Sequence, residues 1–496
     1  MIDGSVRTGA TFDAWWLPGF SPTADTPWWT LDGGTCQVRA PRLTARQLAD
    51  VMEQLRAARA SYLRALTVDQ IAQTIGAAVH RWLDPFSPYL DEAEQRIAAF
   101  TGFPEAAVRK GLAGFLGTLR TENLRRLLRD ELGDPELLDG FRPRLVAPGL
   151  SRATGPELVV HSFAGNVPGL PAQSLVAATL CKAASLGKVA AHEPIFASLF
   201  LRSLADVDPR LAACLAATYW PGEDADLATA AFGGADVVVA YGSEDTVAAV
   251  ARQVLPGRRL IAYGHKLSFG VVGRERLQPG TLDELADRAA YDVARFDQQG
   301  CLSPHLFYVE EGGESTPRDF ARALAGALDR WSAIVPRGRL GEPELARAAA
   351  VRRDHQFRAA ATGGAVFGGG QCQAWCVLFD TGRDFAASCL NRTAWVKPLR
   401  DAADLAQLLA PVRRYAQTAG IAFTGPRLGE VADILADVGL DRVCPIGQMG
   451  DPPVTWHHDG RFVLLDFLRF TDVEPESTAG RWEFGHPADG LLRVWR

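Results

Sequence analysis

From Glu157 onward the chain alternates short apolar runs with helical segments, and that alternation limits its fold more than any other feature. ELVVHSF precedes PAQSLVAATL, LGKVAAH precedes PIFASLFLRSL, ADVVVAYG precedes TVAAVARQVL, and RLIAYG follows. A strand buried on both faces is apolar almost throughout, and two parallel strands need a crossover, usually a helix. The pattern therefore predicts a parallel sheet with helices on its faces. After Gly242, residues Val247, Val250, Ala251, Val254 and Leu255 share one stripe, as a helix covering a sheet requires. A second α/β block is expected from about Gly280 to Val443, opened by a capping box from Thr281 to Glu284.

Upstream, the stretch from Leu43 to Leu138 is rich in Ala, Leu, Arg and Glu with helical periodicity. Thr67 with Gln70 forms a capping box, and Ser87 followed by Pro88 is a helix start with proline in the first turn. This stretch reads as wholly helical. Gly133, Pro135, Gly140 and Pro143 then mark a boundary. The expected division is a helical region over 1–148, a Rossmann-like cofactor domain over 149–278, a catalytic domain over 279–448 and a C-terminal segment over 449–496. In that last segment RFVLLDFLRF, Arg461 to Phe470, is expected to return to the body of the protein as a strand or two.

A chain of 496 residues with 47% hydrophobic content can bury two or three cores. Its net charge of -6 argues against the basic footprint of nucleic-acid binders, so an anionic ligand would need locally concentrated Lys and Arg. No run approaches a membrane span, and the first twenty residues hold no continuous apolar segment, so a soluble chain is expected. The eight cysteines show no disulfide-framework spacing, which fits a reducing cytoplasm.

Two segments carry candidate chemistry. In DQQGCLSPH, Asp297 to His305, a lone cysteine follows a glycine. Free cysteine is usually a buried structural residue. Here Asp297, Gln298 and Gln299 are too polar for a core strand and Gly300 lets the backbone approach a reacting carbonyl, so Cys301 reads as a nucleophile. In HSFAGNVPGLP, His161 to Pro171, Asn166 lies between a strand and a helix. It either caps the helix that begins near Pro168 or supplies an amide donor to an oxyanion.

These segments, with NRTAWVKPL (Asn391 to Leu399), RVCPIG (Arg442 to Gly447) and WHHDG (Trp456 to Gly460), resemble the LuxC-type acyl-CoA reductases of the aldehyde dehydrogenase superfamily. The resemblance implies an aldehyde dehydrogenase-like α/β fold, a Rossmann-like domain joined to an α/β catalytic domain. It implies NADPH-dependent reduction of an acyl thioester to the aldehyde, with Cys301 forming an acyl-cysteine and Asn166 and a backbone N–H holding the oxyanion. The donor implied is a fatty acyl-CoA, or an acyl carrier protein or acyl-protein. The cofactor contacts implied are Phe163, Ala164, Lys188, Gly242 and Ser243.

Lys188 falls where relatives meet the adenosine ribose, and Ala191 stands where NAD-preferring members carry a glutamate, which favours NADPH. Glu193 is a nearby carboxylate that could reach the ribose. The acids Glu244 and Asp245 after Ser243 suit a helix start but would repel a close pyrophosphate. In YGHKLSFG, aligning Lys266 with the family lysine puts Ala262 at the position of the hydrolytic general base, leaving His265 as a candidate acid or base. Cys372 with Cys376 and His457 with His458 lack a second pair at zinc spacing, so no metal site is expected. His305 reads as structural. The rival readings are a cysteine thioesterase or acyltransferase without nucleotide, and a non-catalytic binding protein of the same fold. A homo-oligomer is left as an alternative to a monomer.

Overall fold

A computed structural model describes residues 9–368 and 374–474. The chain opens with a three-stranded sheet, β1 (Ala10–Asp13), β2 (Trp28–Asp32) and β3 (Cys36–Pro41), ordered β1-β3-β2. The first 148 residues are therefore not helical throughout. Five helices follow: α1 (Ala45–Ser61), α2 (Val68–Leu83), α3 (Pro88–Thr101), α4 (Glu105–Gly117) and α5 (Thr121–Leu132). The side chain of Thr67 accepts from the Gln70 amide and that of Ser87 from the Leu90 amide, so both helix starts form where the residue types place them. The short strand β4 (Arg142–Pro143) pairs with β5 (Leu150–Thr154).

A five-stranded parallel sheet comes next. It contains β6 (Leu158–Ser162), β7 (Ala184–Lys188), β8 (Leu215–Thr218), β9 (Val237–Tyr241) and β10 (Arg259–Tyr263), ordered β10-β9-β6-β7-β8. Helices α6 (Leu170–Leu180), α7 (Phe196–Ala205), α8 (Pro209–Ala212), α9 (Ala225–Gly234) and α10 (Glu244–Ala251) make the crossovers. Every residue of β6 and β9 is buried, as strands covered on both faces must be.

The second sheet has seven strands: β11 (Leu267–Val272), β12 (Pro304–Glu310), β13 (Ala365–Gly368), β14 (Cys376–Phe379), β15 (Thr393–Leu399), β16 (Ala416–Ala422) and β17 (Arg442–Pro445). Their order is β13-β14-β15-β12-β11-β16-β17, parallel except for the β13–β14 edge. Helices α11 (Pro279–Ala294), α12 (Pro317–Ile334), α13 (Glu342–Thr362), α14 (Leu405–Leu409) and α15 (Pro426–Val438) complete this part.

Three expectations change here. β11 pairs with β12 and β16, so the break between the sheets falls between Tyr263 and Leu267, earlier than residue 278. The capping box from Thr281 to Glu284 does not form, because Pro279 starts α11 earlier and Gln278 precedes it without a side-chain cap. Within Arg461 to Phe470 only the end becomes strand: β18 (Arg469–Val473) pairs antiparallel with β5, and Leu465–Phe467 is a single helical turn.

Candidate active site

Cys301 sits between α11 and β12, on a loop held in an unusual backbone. Phe296, Asp297 and Gln298 are consecutive non-glycine residues at φ of 44°, 52° and 67°. Left-handed conformations of this kind persist only where surrounding contacts fix them. A second left-handed run, Leu390, Asn391 and Arg392 at 65°, 55° and 62°, lies against the first. Arg392 Nε donates to Asp297 Oδ1 at 2.6 Å, and both side chains are buried. The remaining Arg392 donors reach the Val335 and Pro336 carbonyls at 2.8 and 3.1 Å, and Asp297 Oδ2 accepts the Gly338 amide at 2.8 Å. Gln298 donates to Pro304 O at 2.6 Å and accepts from Thr393 N at 3.1 Å, while Gln299 Nε2 donates to Asn391 Oδ1 at 2.7 Å. A buried ion pair so fully hydrogen-bonded secures one geometry. The polarity of Asp297 and Gln298 thus marks a buried network rather than an exposed turn. Ser268 Oγ donates to the Cys301 carbonyl at 2.7 Å and fixes the far end of the loop.

Gly300 is not demanded by crowding: a Cβ there would meet nothing nearer than Ser303 Oγ at 3.4 Å. The Cys301 residue itself is half-buried.

Asn166 comes to this loop from the other sheet. Its Nδ2 donates to the Gln299 carbonyl at 2.8 Å. It does not cap α6, which starts at Leu170 after Gly169 without a side-chain cap. A carboxamide has two N–H donors, so one remains for a ligand beside the Cys301 loop. The segment carrying it is drawn close to the turn after β7. A Cβ at Gly165 would lie 2.9 Å from Glu193 N and 3.0 Å from Ala190 Cβ, so only glycine fits there. Phe163 is buried, its amide donates to Lys188 O at 3.0 Å and its ring stacks on His161; Ala164 is half-buried beside it.

Lys188 ends β7 with its ammonium 5.7 Å from the Trp220 ring centroid. Burial pulls its pKa down, and the Glu223 carboxylate opposes that. Glu193 is committed elsewhere: its Oε1 accepts the amides of Ile195 and Phe196, both at 2.9 Å, at the start of α7. Burial raises its pKa to about 7 against those bonds. The neighbouring carboxylate that sequence reading overlooked is Glu223. Gly242 N donates to Tyr263 O at 3.2 Å, and Ser243 Oγ caps α10 by accepting Thr246 N at 3.3 Å. Glu244 is paired with Arg414 at 2.6 Å, which offsets its charge at that helix start.

A cluster at the start of β11 and β16, near the Ser268 that holds the Cys301 carbonyl, was not singled out as a site by sequence reading, although WHHDG and Lys266 both stood in the quoted motifs. Lys266, between β10 and β11, lies 3.6 Å from Asp441 Oδ2 and 3.8 Å from Asp459 Oδ1. Gln417 of β16 donates to Asp459 Oδ1 at 2.5 Å. His458 stacks on Trp456 at 4.8 Å and on Tyr263 at 4.3 Å, and Tyr263 stacks on Tyr241 at 4.7 Å. Burial lowers the His458 pKa to about 3, so this histidine is neutral and packs as an aromatic wall of the cluster. Cys376 is buried in β14, and Cys372 lies outside the described residues. Burial pushes the Cys301 thiol up to about 12; Asp459 adds to the rise, while Gln417 and Lys266 oppose it. Asp459 and Asp441 are themselves raised, mainly by burial and against the pull of Lys266. His265 is exposed and packs on Tyr415 at 5.8 Å, outside this cluster. His305 is buried, accepts Ser388 N at 3.0 Å and is lowered to about 4. Ala262 is the next-to-last residue of β10 and has no titratable group to offer.

The acyl-CoA reductase (LuxC) family matches residues 63–470. The chain belongs to this family. It is accordingly an enzyme, an oxidoreductase of the acyl-CoA reductase class. The long-chain acyl-protein thioester reductase of Aliivibrio fischeri is 26% identical to this family member over 348 residues, 69% of each chain. That of Photorhabdus luminescens is 27% identical over 355 residues, covering 71% of this chain and 70% of its own. Among solved structures, lactaldehyde dehydrogenase from Escherichia coli superposes with a TM-score of 0.69 at 14% identity, covering 94% of this chain and 99% of its own. The LuxC-family chain thus has the aldehyde dehydrogenase fold.

Proposed function

We propose that this chain reduces an acyl thioester to the aldehyde through an acyl-Cys301 intermediate, with NADPH as reductant. The observation that carries the reading is the hydrogen bond from Asn166 to the Gln299 carbonyl, which brings an amide donor from one sheet to the nucleophile loop of the other. An acyl group on Cys301 would lie beside a donor fixed before reaction, as oxyanion stabilisation requires. In this reading the five-stranded sheet carries the cofactor, the seven-stranded sheet the nucleophile, and the helices from α1 to α5 brace the assembly. The donor is a fatty acyl-CoA or an acyl-protein, in line with the family and with the named relatives. Seven free cysteines among the described residues suit a reducing cytoplasm, and no helix among them is long and apolar enough to cross a membrane.

The residues at the C-terminal ends of β7 and β8 suit a dinucleotide. Lys188 offers a cation, and Thr218 Oγ1 and Trp220 Nε1 are buried with no hydrogen-bond partner. Phe163, Ala164, Gly242 and Ser243 would border the same group. The bound dinucleotide would supply the reducing equivalent that turns the acyl-cysteine into an aldehyde. Lys188 would meet a 2′-phosphate, with no carboxylate at Ala191 to repel it and Glu193 held by α7. Initial rates with an acyl-CoA chain-length panel should favour NADPH over NADH. Lys188→Ala should narrow that preference about tenfold, the scale of one charged hydrogen bond. A wild-type preference for NADH would overturn this assignment.

Ala262 also fixes a direction. Without a carboxylate there, water is not activated against the acyl-cysteine, whereas a thiol nucleophile needs less help. Supplied with an aldehyde and NADP alone, the enzyme should form little free carboxylic acid; adding CoA should speed NADPH formation and yield acyl-CoA. Steady oxidation to free acid without a thiol acceptor would favour a hydrolytic enzyme instead.

A further inference from the structure

The five-stranded sheet carries a cavity of about 400 Å³ at the end opposite to Lys188. It lies where β6, β9 and β10 begin, and β5, β18, the end of α1 and the turn after α6 border it. We infer that this cavity binds a small anion bearing two or more phosphate or carboxylate groups, gripped by Arg64, Arg152 and Arg469.

Six cationic side chains line the cavity, Arg59, Arg64, Arg152, Lys182, Arg259 and Arg469, against two carboxylates, Glu157 and Asp236. In a chain of net charge -6 this is the local concentration of Lys and Arg that an anionic ligand needs. Three of the cations are committed. Arg59 Nε donates to Lys182 O at 2.7 Å, Lys182 Nζ to Asp139 Oδ1 at 2.6 Å, and Arg259 to Leu468 O at 3.3 Å. The other three, Arg64, Arg152 and Arg469, make no hydrogen bond or ion pair among the described residues, and Arg152 Nε is buried without a partner. A buried donor in that state carries the full cost of desolvation, which a ligand oxygen would relieve. Of the two carboxylates, Asp236 is already paired with Arg258 and accepts the amides of Glu157 and Leu158 at 3.0 and 3.1 Å. Burial pulls the pKa of Arg59 down and Arg64 adds to the fall, while Glu157 and Asp236 oppose it. The cavity thus holds positive charge that its own acids leave unbalanced.

One wall is firmly built. Lys182 has a left-handed backbone at φ 57°, and the buried Arg59 side chain bridges its carbonyl and that of Gly155, the latter at 3.4 Å. A Cβ on Gly155 would lie 1.9 Å from Cys181 O, so only glycine lets the two segments close there. The volume falls within the roughly 300–1,000 Å³ of small-molecule sites, which leaves room for more than one anionic group. Guanidinium forks match the paired oxygens of phosphate or carboxylate, and three uncommitted forks call for a multivalent ligand.

The site is separate from the chemistry at Cys301 and from the proposed nucleotide contacts. β7 runs five residues from Ala184, just after Lys182, to Lys188. At about 3.3 Å per residue its two ends stand roughly 15 Å apart. No lining residue belongs to the Cys301 loop, so the inference stands or falls independently of the acyl-thioester reading. A ligand here would join Arg469 of β18 to Arg64 and Arg152, and binding should therefore raise the melting temperature.

The test is isothermal titration calorimetry of the whole chain with pyrophosphate and, separately, with citrate, each against chloride of matched ionic strength. At least one of them should bind and raise the melting temperature, and the tighter of the two tells a phosphate ligand from a carboxylate one. Arg152→Gln should weaken that binding about tenfold or more, the scale of one charge-assisted hydrogen bond, and Arg64→Glu should weaken it further by repulsion. Lys188→Ala, at the far end of the sheet, should leave the affinity within about twofold of wild type. If neither anion binds, the inference is overturned. It is overturned equally if Lys188→Ala weakens binding while the arginine variants do not, because the anion then occupies the nucleotide site. Should Arg152→Gln not fold, Arg64→Glu decides, since Arg64 is exposed and holds no partner among the described residues. Wild-type affinity in Arg64→Glu would then end the proposal.

Discussion

Cys301→Ala should abolish aldehyde formation while leaving NADPH affinity within about twofold of wild type, because the thiol serves acyl transfer and not the nucleotide. The substitution is small and the residue half-buried, and the surrounding network rests on Asp297, Gln298 and Arg392 rather than on the sulfur. Melting should therefore move little. Rapid-quench analysis should show no acyl-enzyme on residue 301, and stopped-flow fluorescence should show unaltered nucleotide binding. Turnover that survives in this variant would end the covalent mechanism.

Asn166→Ala should lower kcat about a hundredfold or more with a smaller change in KM, the pattern of a donor acting mainly in the transition state. The prediction separates two roles for one side chain. Asn166 already bonds the Gln299 carbonyl at 2.8 Å, so its loss also removes a tie between the two sheets. A mere tie would weaken substrate binding and turnover together and would lower the melting temperature; an oxyanion donor lowers kcat alone. Asn166→Asp, which keeps the size but loses the donors, should be as impaired as alanine.

The parallel sheets were legible because a strand such as VVVAY, covered on both faces, must be apolar, and its short β-branched run between turn residues separates it from a buried helix. The limit of that signal is β11. LSFGVV is apolar like its neighbours, and nothing local says that it joins β12 and β16 rather than β10. Partner choice belongs to the whole chain. Cys301 and Asn166 could be proposed from their short context and the family resemblance, and the bond from Asn166 to the Gln299 carbonyl brings their two segments together, whereas nothing local drew attention to Asp459. An aspartate before a glycine in WHHDG has the composition of any turn, and its meaning arises only where Lys266 and Gln417 arrive from distant strands. Likewise Asp297 and Arg392, each polar, gave no local sign that burial would pair them.

The stretch after that turn is tied to the N-terminal helices. Glu131, in α5, accepts the amides of Val463, Leu464 and Leu465 at 2.8, 2.7 and 3.1 Å. Asp459 therefore meets Gln417 and Lys266 only when three pieces of chain have closed on one another: the N-terminal helices that hold the strap, the sheet that carries Tyr241 and Tyr263, and the sheet that carries Gln417, with Lys266 just before its strand β11. A chain whose strap has come away from α5 would leave that carboxylate, lysine and glutamine apart. The C-terminal stretch thus works as a latch that couples completion of the N-terminal helices to assembly of the polar cluster near the Cys301 loop.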